Sequence, residues 1–205
     1  MVSKNLTIIL FIAVVFTAGL IVGINYSAHS NDKISSTLQD NELSAESFVI
    51  EQELLEGLDV SCPAMEARLN SLGSELWALG KQLDSPTAKA LGEDNYQIAK
   101  RQYHLTQART YVIFYKMLSK CKPDSHVLLY YYSQNQTASA QQGKILDDLV
   151  DKLHIHVFAM EYQYSPDLKF LEDYYEINQT PAIVVDYKNT LRGLVSGAEI
   201  EKELQ

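Results

Sequence analysis

The hydrophobic and polar positions divide the chain into stretches with different periods, and the first stretch is apolar throughout. Residues 6–24 (LTIILFIAVVFTAGLIVGI) contain no charged side chain. About 20 such residues span the hydrocarbon core of a bilayer, so residues 1–25 are predicted to be a transmembrane anchor. A cleaved signal peptide is the alternative, but this run is longer than the usual core of about 7–15 residues, and residues 26–28 match a small-residue cleavage site poorly.

The polar flanks of this run predict its orientation. Lys4 and the amino terminus lie before it, so the positive-inside rule places the amino terminus in the cytoplasm. Residues 26–42 are polar without apolar periodicity and are predicted to be a flexible linker. The expected location is a single-pass membrane protein whose folded part is extracytoplasmic, in the periplasm or on the cell surface, with membrane lipid as a partner through residues 6–24.

Residues 43–121 show helical periodicity and are predicted to form a helical hairpin region. Apolar residues that recur alternately four and three positions apart form a seam along one side of a helix, and they predict a first helix from about Ala64 to Gln82. A second helix, capped by Asp94 or Asn95, is expected to run to about Lys120. Residues 44–58 form a shorter predicted helix. The seam of the first helix consists of Met65, Leu69, Leu72, Leu76, Leu79 and Leu83, and the two stripes of the second are Leu105, Ala108, Val112 and Tyr115, and Tyr111, Phe114 and Leu118.

Both cysteines of the chain flank this hairpin. Cys62 lies just before the first helix and Cys121 just after the second, so two antiparallel helices bring the thiols together. In an oxidising compartment we expect a Cys62–Cys121 disulfide. A structural role is favoured because the pair lacks the local C-x-x-C spacing, while a redox-active pair at the helix ends remains the alternative.

In residues 122–205 the spacing of apolar side chains alternates between the period of a strand and that of a helix. The order is βαβαββα, with two parallel strands joined by a crossover helix and helices on both faces of the sheet. The fold class is therefore α/β, or α+β for the whole chain. The predicted strands are 126–133, 154–162, 182–186 and 191–195, and the predicted helices are 140–153, 166–177 and 198–204.

This last region resembles the thioredoxin-like superfamily. The residues that carry the resemblance are VLLYYYS followed by GKILDDL, the run YEINQTPAIVV from Tyr175 to Val185, and the turn at residues 187–189 that leads to Gly197. The resemblance implies a thioredoxin-like domain over residues 122–205. It also implies a cis-proline at Pro181 that faces the active-site loop, and a groove beside Thr180 and Pro181 that binds extended peptide.

The chain departs from this family at the two catalytic cysteines. The family places its first cysteine nine residues before an isoleucine that matches Ile145 of this chain. That position is Gln136 here, and the position of the second cysteine, three residues later, is Ser139. Neither an amide nor an unperturbed hydroxyl forms a mixed disulfide, so these are degenerate active-site positions. We expect no catalytic residue, no cofactor and no metal site. His154 and His156 alternate on a strand, but no third ligand is evident.

Composition narrows the choice of partners. The 17 Lys and Arg against 26 Asp and Glu give a net charge of −9, which opposes binding to nucleic acid. We therefore expect a redox-inactive module that binds a protein or an extended peptide, as a scaffold or a chaperone. The first alternative is a thiol–disulfide oxidoreductase or redox sensor that uses Cys62 and Cys121. The second is an inert spacer.

Overall fold

The computed structural model describes residues 49–51, 53, 57, 59–86, 92–121, 125–153 and 155–205. Residues 49–51, 53 and 57 are helical, as predicted for the segment 44–58. No helix within the described ranges is long and apolar enough to cross a membrane. The predicted anchor at residues 6–24 and the linker at residues 26–42 lie outside the described residues.

Residues 60–205 form one compact unit that begins with a helical hairpin. Its helices are α1 (Cys62–Asp84) and α2 (Glu93–Cys121). The disulfide joins the first residue of α1 to the last residue of α2. At the other end, a Cβ added to Gly80 would lie 3.6 Å from the ring of Tyr103, so the backbone of α1 closely approaches this side chain of α2. The two helices are therefore antiparallel, as the sequence predicts.

Helix α1 follows its predicted seam and is longer than expected. Ser61 is the residue before the helix and Pro63 lies in its first turn, where a missing N–H costs nothing, so the helix starts two residues before Ala64. The disulfide-end half of the seam is buried and the other half is partly exposed. The buried members are Met65, Leu69 and Leu72.

Helix α2 corrects two details of the prediction. It begins at Glu93, directly after Gly92 with its φ of +88°, so Asp94 and Asn95 lie within the helix and do not cap it. The stripe containing Leu105 and Tyr115 is wrong at both positions, since these side chains are 40% and 52% exposed. Because α2 packs against α1 and against the sheet, its buried surface is broad and includes polar residues. The buried polar residues of α2 are Lys100, His104, Thr106, Gln107 and Thr110.

A four-stranded mixed sheet follows the hairpin, with the strand order β2-β1-β3-β4. The strands are β1 (His126–Tyr132), β2 (Ile155–Glu161), β3 (Ala182–Val185) and β4 (Asn189–Arg192). Strands β1 and β2 are parallel, and β3 pairs with both β1 and β4 in the antiparallel direction. These pairings confirm the predicted order of elements and the parallel first pair.

The last strand starts earlier than predicted. Asp186 and Tyr187 both adopt a positive φ, which reverses the chain so tightly that Asn189 already pairs with Val185. Strand β4 therefore covers Asn189–Arg192 and not the predicted 191–195.

The predicted helix over 166–177 divides into a 3₁₀ turn (Pro166–Leu168) and α4 (Lys169–Tyr174). Glu176 has a φ of +52°, and the N–H of Ile177 donates to the carbonyl of Glu172 at 2.8 Å. A left-handed residue followed by a hydrogen bond that spans five residues is a Schellman motif, which ends the helix before Ile177.

Helices cover both faces of the sheet. Helix α3 (Thr137–Val150) and helix α5 (Gly197–Glu203) pack on one face, where Leu146, Leu149 and Ile200 join the core formed with Leu128 and Ile183. Helix α2 covers the other face through ring contacts of Tyr111 with Phe158 and of Phe114 with His156. This burial of both faces is what a parallel strand pair requires.

Candidate functional site at the carboxyl end of β1

The two predicted degenerate positions and the two predicted groove residues come together at the carboxyl end of β1. Gln136 is the residue before α3, and Ser139 is buried in the first turn of that helix. Strand β3 runs antiparallel to β1 and pairs Ala182 with Tyr131, so the preceding Thr180 and Pro181 lie at the same edge. The Thr180–Pro181 peptide bond is cis, as the resemblance implies.

The side chain of Gln136 connects the start of α3 to the loop before β3. Its Nε2 donates to the carbonyl oxygen of Thr180 at 2.9 Å. Its Oε1 accepts from the hydroxyl of Thr180 at 2.9 Å and from the hydroxyl of Ser139 at 2.5 Å. Gln136 makes no capping hydrogen bond to α3, so its amide serves this connection.

Ser133 and Tyr130 extend the network, and the sequence did not single them out for it. The backbone N–H of Ser133 donates to Oγ of Ser139 at 3.2 Å, and the Ser133 hydroxyl lies 2.8 Å from that of Thr180. Because the Thr180 hydroxyl donates to Gln136, it accepts from Ser133. The phenol of Tyr130 donates to the carbonyl of Ser139 at 2.5 Å, and burial raises the pKa of this phenol.

This network supplies hydrogen bonds and contains no thiol. Its members are amides, hydroxyls, a phenol and backbone groups, none of which carries a charge near neutral pH. An open cavity of about 510 Å³ lies over it, lined by Tyr130, Tyr132 and the loop between β1 and α3. The walls of this cavity offer polar contacts to a neutral ligand and no thiolate for disulfide exchange.

Both cysteine sulfur atoms lie at the end of the sheet opposite the Gln136 network. Cys62 and Cys121 form a disulfide with a Cα–Cα distance of 5.8 Å. Cys121 lines the same groove as Ser125 and Ile155, and Ile155 pairs with His126 at the start of β1. Seven strand residues separate this end from the Gln136 network, which corresponds to about 20 Å at 3.3 Å per residue.

The chain matches no protein-family model, no curated protein and no solved structure. What the site does chemically therefore has to follow from its own residues.

A charged pair beside the site was not predicted. Lys100 of α2 forms an ion pair with Glu161 at the end of β2, and these side chains are only 8% and 17% exposed. Lys100 Nζ also lies 4.6 Å from the centre of the Tyr164 ring, and the Gln134 amide donates to Glu161 at 3.2 Å. The pair therefore joins α2 to the loop that carries Gln136. No local pattern indicated it, because its members are 61 residues apart.

The predicted pair of histidines is only partly described. His154 lies outside the described residues. The ring of His156 lies 4.5 Å from that of Phe114, and partial burial lowers the pKa of His156. Within the described part of the chain, no group of three or more His, Cys, Asp or Glu residues could hold a metal ion.

Proposed function

We propose that this chain is a membrane-anchored, extracytoplasmic module whose thioredoxin-like domain binds polypeptide and does not exchange disulfides. The parallel β1–β2 pair, the β3–β4 hairpin and the cis peptide bond before β3 support the thioredoxin-like interpretation. The uncharged run at residues 6–24 supports the anchor. The net charge of −9 argues against nucleic acid as the partner.

One observation carries the redox-inactive part of this proposal. At the position where the family keeps its first cysteine, the Gln136 amide is held by three hydrogen bonds to Thr180 and Ser139. Disulfide exchange requires a thiolate that attacks a sulfur atom and a second thiol that resolves the mixed disulfide. An amide fixed between two loops provides neither.

Activity assays test this proposal directly. We expect no insulin reduction and no peptide oxidation above background by the wild-type chain. We expect the same from a Cys62→Ser, Cys121→Ser variant. Turnover by the wild-type chain that disappears in this variant would refute the proposal and favour the oxidoreductase.

A redox sensor or oxidoreductase is the second candidate function, and the location of Cys62 is the observation in its favour. Cys62 is the first residue of α1, and a helix amino terminus stabilises a thiolate. A redox titration of the Cys62–Cys121 disulfide separates the candidates. Reduction at the potential of a glutathione buffer supports the sensor, whereas resistance to that buffer supports a structural cross-link.

Partner capture tests the binding part. Crosslinking of the full chain in intact membranes is expected to recover a polypeptide partner. Recovery of none would favour the inert spacer.

A further inference from the structure

A groove of about 1460 Å³ runs along the outer edge of β2. Five consecutive residues of β2, 155–159, line it, although successive strand residues point to opposite faces of a sheet. The groove therefore follows the backbone edge of β2 and not a single face. Because β2 is the outermost strand in the order β2-β1-β3-β4, no strand among the described residues pairs with this edge.

The outer edge of β2 presents unpaired backbone groups to this groove. The N–H of Tyr162, just after β2, donates to the carbonyl of Tyr132 at 2.9 Å. Since backbone groups alternate in direction along a parallel pair, Val157 and Ala159 direct their N–H and C=O groups away from β1. Strand β2 (IHVFAME) contains neither proline nor lysine, the residues that commonly block strand addition.

The two walls of the groove differ in chemistry. Helices α1 and α2 form an apolar wall that includes Leu69, Trp77, Phe114 and Met117. The contact between Phe114 and His156 places this wall on one face of β2. Helix α3 contributes Asp147 and Val150 from the other face.

The charged residues that line the groove are acidic, and the nearby ammonium of Lys81 lies 4.8 Å from the centre of the Trp77 ring at its margin. Its charged lining residues are Glu66 on α1 and Asp147 on α3, and its lining contains no Lys or Arg among the described residues. His156 adds no positive charge at neutral pH, because burial lowers its pKa.

From these features we infer that the groove receives an extended, positively charged polypeptide segment that adds to β2 as a further strand. Alternate side chains of such a segment point to opposite walls, so apolar residues face α1 and α2 while basic residues face Asp147. A second copy of this chain fits the groove poorly, because each copy carries a net charge of −9. This inference rests on the proposed function and names both the site and the partner chemistry.

The test uses the full chain and a capped peptide in which lysine and valine alternate. Roughly seven residues are enough to cover the groove-lining part of β2. Trp77 is the only tryptophan of the chain and is 67% exposed, so it reports on the groove. Binding is expected to shift its emission to shorter wavelength and to protect it from acrylamide quenching.

Two changes to the peptide test the recognition. Replacing the lysines by glutamates should weaken binding by about threefold for each charge that faces the groove. Methylating a backbone nitrogen that faces β2 should weaken it by about fivefold, since one strand hydrogen bond is lost. Equal binding of all three peptides would overturn the inference.

Gly73 provides a matched pair of variants for the site. A Cβ added at Gly73 meets nothing within 4 Å, and this residue lines the groove. Gly73→Leu should therefore fill the groove and abolish binding, whereas Gly73→Ala should bind like the wild type. Gly143 on α3 is equally open and does not line the groove, so Gly143→Leu serves as the control. Unchanged binding by Gly73→Leu would refute the location.

Charge variants separate local recognition from the overall charge. The double variant Glu66→Gln, Asp147→Asn should lose affinity for the lysine peptide. The variant Glu75→Gln, Glu201→Gln changes the net charge equally at exposed positions outside the groove and should retain that affinity. Equal losses in both variants would show that only the overall charge attracts the peptide, and would overturn the inference.

Failure of the inference differs from failure of the proposed function. If the wild-type chain does not bind the peptide but membrane crosslinking recovers a polypeptide, the groove is wrong and the proposed function stands. A dimer in solution that Gly73→Leu dissociates would make a second copy the occupant. Tighter peptide binding after deletion of residues 26–42 would make the chain's own linker the occupant. Either result would overturn the inference.

Discussion

His104 is a buried titratable group whose removal should change the pH dependence of stability. Its side chain, in α2, is 1% exposed and packs against Tyr103 and Tyr164 at ring distances of 5.7 and 5.0 Å. Neither ring nitrogen has a hydrogen-bond partner within the described ranges. Burial, and secondarily the positive charge of Lys100, lower the pKa of His104 to about 4.

The magnitude follows from the pKa difference between folded and unfolded chains. An unfolded histidine has a pKa near 6.5, so between that pH and about 4 the unfolded chain binds a proton that the folded chain does not. Stability therefore falls as the pH falls through this window, and the contribution is constant above it. At about 1.4 kcal/mol per unit, a difference of roughly 2.5 units corresponds to a loss of about 3 kcal/mol by pH 4.

Two variants of His104 isolate this contribution from other titrating groups. Burial raises the pKa of Glu172, so its proton is held in the folded state and its contribution opposes that of His104. Glu172 is present in every variant, and its contribution therefore cancels in a comparison. His104→Leu removes both the titration and the unpartnered nitrogens, whereas His104→Gln removes the titration and keeps a buried polar group.

Urea unfolding of the full chain, followed by circular dichroism with the disulfide intact, measures the effect. At about pH 7 we expect His104→Leu to be more stable than the wild type by about 1–2 kcal/mol, because it removes buried atoms without partners. At pH 4.5 the stability of both variants relative to the wild type should be about 2–3 kcal/mol higher than it is at pH 7. Stability differences that do not change with pH would show that His104 is solvated in the folded protein and would refute this account.

Three further substitutions test contacts elsewhere in the fold. Replacing Cys62 and Cys121 by serine opens a cross-link with a sequence separation of 59 residues and should lower the free energy of unfolding by about 4 kcal/mol in urea. Lys100→Met leaves the partly buried Glu161 carboxylate with the Gln134 amide but without its cation and should cost about 2–3 kcal/mol, while adding Glu161→Gln should recover much of that loss in a double-mutant cycle. Ser196→Ala removes the capping box of α5 and should lower thermal stability by about 1 kcal/mol, with faster amide exchange in that helix as the local readout.

Hydrophobic periodicity predicted the elements that bury apolar side chains on one face. The seam of α1 is buried at Met65, Leu69 and Leu72, and local runs and turns predicted the order of strands and helices along the chain. The same reasoning was wrong for Leu105 and Tyr115. An apolar stripe identifies the buried face of a helix that has one partner, but α2 has two, and its second contact surface includes polar side chains.

Polar burial depends on partners that are distant in sequence, which no local pattern reveals. The pair Lys100–Glu161 and the contact of His104 with Tyr164 join residues about 60 positions apart. In the sequence they lie within ordinary polar stretches. The spacing from Ile145 singled out Gln136 and Ser139, which lie together in the structure, but it did not predict the hydrogen bonds that their side chains make.

Those hydrogen bonds bear on the proposed thioredoxin-like interpretation, in which Gln136 and Ser139 stand at the positions of the family's two cysteines. The Oε1 atom of Gln136 accepts two hydroxyl hydrogen bonds, which uses both of its lone pairs, and Nε2 donates to the carbonyl of Thr180. A thiol is a weak donor and a weak acceptor, so it could not make this connection between the loop before α3 and the loop before β3. The amide thus uses one of the two lone pairs of the Thr180 carbonyl beside Pro181, so this carbonyl has less capacity left for a bound peptide. If the chain binds polypeptide, the outer edge of β2 still offers the backbone groups of Val157 and Ala159, and this argues for binding at that edge over the degenerate site.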